Sequence, residues 1–264
     1  MRVGVLEEQF DLSPADWVSE RLTTFAVNVA SIIPEGFEAY GRLFHPAHRG
    51  ETPVSWAEVA AHNGCTVHPE MQWHTISGAD FYEPGPPGGP WTEGPDVGSL
   101  PQDLTNILVD HLRSHTTTPE SVWFATWNGW DGHRLDPRPG VLARLGKKLQ
   151  PRLRRAGPLP PILELPARHY WLLHGPIEGA LETMMSAGYE GFDPWWQSVN
   201  LWWPDDRAWF VSTDIDFAWT YVGGAQELID ELLAEPRLEI LPATLTERIT
   251  HDADRINASD PEDG

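Results

Sequence analysis

The sequence has one cysteine, no long apolar run and no apolar leader, and each of these absences excludes a class of protein. A single thiol, Cys65, cannot form an internal disulfide framework, and its isolation favours a reducing compartment. No apolar run approaches the roughly 18 residues that a membrane-spanning helix needs. The N-terminal stretch MRVGVLEEQF reaches Glu7 and Glu8 before the apolar core of a signal peptide could form. We therefore expect a soluble, cytoplasmic protein without a membrane partner.

Common catalytic and phosphate-binding motifs are missing as well. The chain has no G-x-S-x-G elbow for a nucleophilic serine and no G-x-G-x-x-G turn for a dinucleotide. The segment GVLARLGKK (140–148) imitates a phosphate loop, but Lys148 stands where a serine or threonine should bind magnesium. These absences favour a protein that works by binding, and we expect it to carry no cofactor.

Basic residues are scarce. The chain has 18 lysines and arginines against 39 aspartates and glutamates, which gives a formal net charge of −21. Proteins that bind DNA or RNA usually carry a basic footprint, so we expect no nucleic-acid partner. An acidic surface suits docking to a basic protein, and that is the partner class we expect.

One segment reverses this charge pattern and suggests a division of the chain. Residues 137–163 hold seven basic residues, no acid and several prolines. They predict a connector between an N-terminal half (1–136) and a C-terminal half (164–246), acting either as a hinge or as a crossover packed on an acidic face. One single domain over 1–246 is the alternative. Residues 247–264 have almost no apolar side chains and predict a disordered acidic tail.

Local patterns predict helices mixed with strand pairs. Ser55 and Glu58 form a capping box at the start of one helix, and Gly64 is typical of its end. Residues 83–98 hold five prolines and five glycines, which predicts a loop. The remaining predictions are helices from Ser13 and Ser99 and over 55–64, 177–187 and 225–235, and strands over 23–33, 35–45, 121–127, 162–165, 168–174 and 237–241. This order predicts an α+β fold with a mixed or antiparallel sheet and flanking helices.

The segment LWWPDDRAWFVSTDID (201–216) predicts a β-hairpin. Turn residues in PDDR separate two stretches that are rich in β-forming side chains. Neighbouring residues of a strand point to opposite faces, so Trp202 and Trp203 cannot both point into one core. At least one of them must be partly exposed or covered by a second layer. An exposed pair beside Arg207 and Trp209 would form a binding surface for a partner or a sugar ring.

The same hairpin offers a second function. Asp214 and Asp216 form a D-x-D pattern on one face of the second strand, with Asp205 and Asp206 in the turn nearby. Paired carboxylates can hold a divalent cation, so a metal-dependent enzyme is the alternative to a binding protein. No nucleotide-binding strand–helix–strand unit precedes the pattern, and a plain hairpin accounts for the segment without a metal.

Histidines and the single cysteine gather in HNGCTVHPEMQWH. His62, Cys65, His68 and His74 have side chains that bind zinc, and their spacing raises the question of a metal site. No paired C-x-x-C supports it. A histidine at the end of a helix is also explained by the helix dipole, and a buried cysteine by packing. We therefore assign no metal ligand here and leave the alternative open.

The runs IIPEGFEAYGRLFHPA (32–47) and LWWPDDRAWFVSTDIDFAWTYVGG (201–224), with RHYWLLHGP between them, resemble a family of uncharacterised bacterial proteins. The resemblance covers most of the chain except the tail, and it implies a soluble bacterial protein. It carries no activity and no functional residue. Our leading hypothesis is therefore a non-enzymatic binding protein that meets a basic partner through Trp202, Trp203, Arg207, Trp209, Asp214 and Asp216.

Overall fold

A computed structural model describes residues 2–3, 5–25, 27–129, 158–181 and 196–258. The strands of this part of the chain are β1 (Arg2–Val3), β2 (Leu6–Glu8), β3 (Ala39–Phe44), β4 (Ala47–Arg49), β5 (Thr52–Val54), β6 (Val122–Trp127), β7 (Leu163–Leu165), β8 (Arg168–Gly175), β9 (Leu201–Pro204), β10 (Phe210–Ser212), β11 (Trp219–Gly224) and β12 (Ile240–Ala243). The α-helices are α1 (Asp16–Glu20), α2 (Trp56–Asn63), α3 (Trp73–Ser77), α4 (Gln102–Ser114) and α5 (Gln226–Ala234). The predicted α+β class is confirmed.

Ten of these strands form one sheet, in the order β1-β2-β8-β6-β9-β10-β11-β3-β12, with β7 added to β8. Every pairing between the described strands is antiparallel. Strand β6 lies between β8 and β9, and β3 lies between β11 and β12. Strands from both predicted halves therefore alternate within one sheet. Most of the predicted connector 137–163, including all its basic residues, lies outside the described residues.

The sheet is covered on both faces. On one face, Trp203 and Phe210 belong to a core that includes Trp17 of α1 and Trp56 of α2. On the other face, Trp202 and Trp209 join a second core that includes residues from α4 and α5. This second core takes its helical share from Leu104, Leu108, Leu112, Leu228 and Leu232. Because side chains alternate along a strand, neighbouring tryptophans enter different cores.

The predicted capping box is confirmed. Ser55 Oγ accepts a hydrogen bond from the Glu58 amide at 3.1 Å, and Gly64 ends α2 with a φ of 71°. The partly buried carboxylate of Glu239 accepts from the first two amides of α2, those of Trp56 and Ala57, at 2.6 Å each. This helix therefore begins with its free N–H groups satisfied by a local cap and by a residue from before β12.

The strand predicted over 23–33 is wrong. Residues Val29–Ser31 form a 3-10 turn, and the amides of Val29 and Ala30 donate to the carbonyls of Glu247 and Leu245. Apolar, β-branched residues are favoured at buried positions as well as in strands, and over 29–33 they are buried without forming a strand. Three further predictions differ from the structure in detail. The helix predicted from Ser13 starts as a 3-10 turn, and the last strand spans Ile240–Ala243 where 237–241 was predicted. Of the helix predicted over 177–187, residues Ile177–Leu181 form a 3-10 helix and the rest lies outside the described residues.

The tail predicted to be disordered is ordered in its described part, 247–258. Asp254 is buried and accepts from His68 Nε2 at 2.9 Å. Asn257 pairs its side-chain amide with both backbone groups of Thr66, at 2.8 and 2.9 Å. For residues 247–258 the prediction is wrong, because polar side chains anchor this segment whereas the composition argument counted only apolar ones; residues 259–264 lie outside the described residues.

None of the helices found in the described part of the chain combines the length and the apolar character that crossing a bilayer requires.

Candidate functional site

The hairpin at 201–216 is confirmed, but its tryptophans do not form a surface. Val211 pairs with Trp202 across the two strands. Trp202 and Trp203 are each 1% exposed and Trp209 is 0% exposed. The predicted binding surface is therefore wrong for these three residues. A tryptophan pair on a strand leaves one ring either partly exposed or covered by a second layer. Here the second layer is present, because helices or loops cover each face of the sheet.

Arg207 is separated from these tryptophans. It is exposed in the hairpin turn with a φ of 55°, and its guanidinium lies 5.1 Å from the centre of the Trp17 ring. Arg21 lies over the same ring at 5.5 Å. The two arginines thus cover the outer side of a core residue, which is a packing role that long cationic side chains often have.

The D-x-D pattern holds an arginine of the same chain. Asp214 binds Arg168 through two hydrogen bonds, Nε to Oδ2 at 3.0 Å and Nη2 to Oδ1 at 2.9 Å. Asp216 accepts from the same Nη2 at 2.5 Å. The oxygens that the metal hypothesis requires therefore already face a cation. Asp205 and Asp206 are engaged too, with Ser121 and with the loop before β6.

The histidine and cysteine segment does not converge on a metal. His68 pairs with Asp254, and His74 stacks on His251 with ring centres 3.7 Å apart. Burial raises the pKa of the Cys65 thiol, which favours the less reactive protonated form. Across the described ranges, no group of three or more histidine, cysteine, aspartate or glutamate side chains is arranged to hold a metal ion.

A serine–histidine contact lies at the ends of β6 and β8. Ser121 Oγ is 2.9 Å from His174 Nε2 and 2.5 Å from Asp205 Oδ2. A nucleophilic serine must donate its proton to the imidazole. A carboxylate can only accept, so the hydroxyl donates to Asp205 and accepts from His174. The serine is fixed between its neighbours and not activated, which argues for a role in joining the strand ends.

The most accessible aromatic side chain beside a described cleft is Tyr82. Its side chain is 87% exposed, and it lines a cleft of about 440 Å³ between 81–84 and 92–97. Three carboxylates line this cleft and no lysine or arginine does. The lining residues are Phe81, Tyr82, Glu83, Pro84, Thr92, Glu93, Gly94, Pro95, Asp96 and Val97. We call this feature the acidic cleft.

Buried contacts hold the acidic cleft in shape. Trp91 is 0% exposed and packs edge-on against Trp73, with ring centres 5.0 Å apart. His45 Nδ1 donates to the Asp96 carbonyl at 2.8 Å. At Gly94 a Cβ atom would overlap the Phe81 carbonyl oxygen, so only glycine permits the two sides of the cleft to approach. The loop is irregular, yet it is anchored at several points.

Sequence reasoning identified 83–98 as a loop and missed it as a site. The available signal was the placement of aromatic and acidic residues among the turn formers, in FYEP and in TEGPD. A tyrosine can pack in a core or contact a partner at the surface, and its solvent exposure separates these two roles. The exposure of a single loop residue cannot be predicted from a local sequence pattern, so the site was missed.

No protein-family model, curated protein or solved structure matches this chain. The resemblance to uncharacterised bacterial proteins therefore stays a prediction.

Proposed function

We propose that this protein is a non-enzymatic binding protein whose acidic cleft docks a basic segment of a partner protein. The observation that carries the proposal is the position of Tyr82, which is 87% exposed beside a cleft lined by Glu83, Glu93 and Asp96. An arginine side chain of the partner would place its guanidinium against the tyrosine ring and its donors on the carboxylates.

The charge of the whole chain supports the same partner class. A net charge of −21 attracts a basic protein at long range and raises its rate of association. The anchored cleft supports affinity, because a loop that is already ordered loses little conformational entropy on binding. This surface replaces the hairpin tryptophans as the proposed contact, and the partner class remains the one that composition predicts.

The compartment belongs to the same proposal. The presence of a single cysteine, Cys65, supports a reducing, cytoplasmic environment.

The test uses a fluorescein-labelled hexa-arginine peptide, with binding measured by fluorescence polarisation at about 50 mM and about 300 mM salt. We expect Tyr82→Ala to weaken binding about tenfold, because the exposed ring is lost while the charge is unchanged. The triple variant Glu83→Gln, Glu93→Gln, Asp96→Asn should weaken it further and reduce its salt dependence.

A matched variant separates the cleft from the general acidity of the chain. Glu20, Glu164 and Glu227 are exposed and lie outside the cleft lining, and their replacement by glutamine also removes three negative charges. This control triple should weaken binding by less than about threefold, through long-range attraction alone. Equal weakening by the two triple variants, or an unchanged affinity in Tyr82→Ala, would contradict a cleft-specific site.

A further inference from the structure

Arg42 is a fully buried arginine with unused hydrogen-bond donors. It lies in β3 and its side chain is 0% exposed. Nη1 donates to the Pro69 carbonyl, but Nε and Nη2 have no hydrogen-bond partner among the described residues. Arginine is rarely buried unless its charge and donors are matched. The absence of acceptors in the described part of the chain for two buried donors of a charged side chain therefore requires an explanation.

The two unused donors lie on the same edge of the guanidinium. Arg168 provides an internal comparison, because its Nε and Nη2 hold the carboxylate of Asp214 at 3.0 and 2.9 Å. That edge matches two oxygens on one planar group, which is the strongest geometry available to an arginine. Arg42 presents the same edge without an acceptor on it.

Aromatic residues and a third buried donor border the guanidinium. Its central carbon lies 3.9 Å from the centre of the Trp219 ring and 4.7 Å from that of Phe44. The buried indole N–H of Trp219 makes no hydrogen bond of normal geometry in the described residues, although it interacts with the Tyr221 hydroxyl closely enough to lower the pKa of that group. Tyr221 is 1% exposed beside them, so the aromatic side of the guanidinium is closed to bulk water.

The nearby acids differ in whether they are engaged. Four ionisable groups lie close enough to Arg42 to raise its pKa electrostatically: Tyr221, Glu247, Glu70 and Asp254. Glu70 accepts from the Arg248 amide, and Asp254 from His68. Glu247 instead has a buried Oε2 without a partner. Burial raises the pKa of the Glu247 carboxyl, against the lowering effects of hydrogen bonds from Thr244 and of the charge on Arg42. The protonated form, which can act as a further donor, is therefore more accessible than it is in water.

We propose that the free edge of Arg42 binds a small planar oxyanion, whose two oxygens accept from Nε and Nη2. The indole N–H of Trp219 and a protonated Glu247 are the additional donors on this site. Because Phe44, Trp219 and Tyr221 around the guanidinium are almost completely buried, we take the ligand to be of the size of formate, acetate or bicarbonate. Its exchange requires local opening of the residues that cover the site, so binding is slow.

Thermal unfolding after overnight incubation tests the proposal, with sodium formate compared with sodium chloride at equal ionic strength. At about fifty times its dissociation constant, formate should raise Tm by about 5 °C relative to chloride. Arg42→Lys keeps the charge but removes the two-donor edge, and it should abolish the difference between the salts. Equal Tm values in both salts for the wild-type protein would overturn the proposal, as would an unchanged formate effect in Arg42→Lys.

A second measurement does not depend on folding of the Arg42 variant. The indole ¹⁵N–¹H signal of Trp219, assigned with Trp219→Phe, should shift with formate and not with chloride. Because binding takes up a proton at Glu247, affinity for formate should rise as the pH falls, and Glu247→Gln should flatten this dependence. If the Trp219 signal does not respond, the free donors of Arg42 serve internal water and the oxyanion site is refuted.

Discussion

His45 and Thr220, 175 positions apart in sequence, are joined by a 2.9 Å hydrogen bond between imidazole Nε2 and hydroxyl Oγ1. The other ring nitrogen donates to the Asp96 carbonyl, so Nε2 is the acceptor of the neutral ring. Thr213 Oγ1 lies 2.7 Å from Thr220 Oγ1 and extends the chain of hydrogen bonds. This buried network connects the acidic cleft to the centre of the sheet.

Acid should destabilise the protein through His45. Burial lowers the pKa of His45 to about 4, while an unfolded histidine titrates near 6.5. The unfolded chain therefore binds the extra proton first, and stability falls as pH decreases from about 6.5 to about 4. The loss attributable to this residue approaches about 3 kcal/mol. Urea unfolding across this pH range should show a smaller slope for His45→Gln, and parallel curves would refute the assignment.

The Arg168–Asp214 pair should contribute to stability far more than the neighbouring Asp216 contact. The side chain of Asp214 is 3% exposed and that of Asp216 is 68% exposed. Asp214→Ala leaves a half-buried guanidinium without its main partner and should cost about 3 kcal/mol. Asp216→Ala should cost less than about 1 kcal/mol. Chemical unfolding measures both, and a similar cost for the two variants would contradict the geometry.

The C-terminal segment should be held by Asp254. Its carboxylate accepts from His68, Thr75 and three backbone amides. Asp254→Ala should cost about 3 kcal/mol and expose the segment to limited proteolysis. Asp252→Ala, at a side chain that is 72% exposed, is the matched control and should leave the cleavage rate unchanged. Equal cleavage of the two variants would show that Asp254 is not the anchor.

Tryptophan and tyrosine substitutions distinguish core from surface. Trp203→Ala should cost about 4 kcal/mol, because the ring stacks on Phe210 within the core. Tyr82→Ala should change the free energy of unfolding by less than about 0.5 kcal/mol, since its ring is largely in solvent. Unfolding curves provide the comparison. A small effect at Trp203 would restore the hairpin surface as a candidate.

Features coded within a few residues were predictable. The Ser55 cap, the Gly64 end of α2 and the hairpin turn depend on local backbone chemistry, and the structure places them as expected. The helix predicted from Ser99 was readable for the same reason, because Leu104, Leu108 and Leu112, which enter the second core, repeat at helical spacing within one element.

Features that depend on distant partners were not predictable. The local D-x-D pattern of Asp214 and Asp216 suggests a metal site. The cation that Asp214 binds is instead the guanidinium of Arg168, which lies 46 positions away in the sequence. The role of each tryptophan depends on whether one or both faces of the sheet are covered, and period-two alternation is the same in either case. Arg42 shows the same limit, because nothing in AYGRLF indicates complete burial.

The alternation of strands within the sheet has a consequence for synthesis on the ribosome. Both neighbours of β6 and both neighbours of β3 are encoded C-terminal to them. In an emerging N-terminal segment, the described strand pairings that can form are the β4–β5 hairpin and the β1–β2 pair. The backbone N–H and C=O groups along the edges of β3 and β6 stay unpaired until the C-terminal strands have been made. Such edges invite intermolecular pairing, and pairing over long sequence separations slows folding. Nascent chains that stop before β8 are expected to depend on chaperones in a way that the complete chain does not.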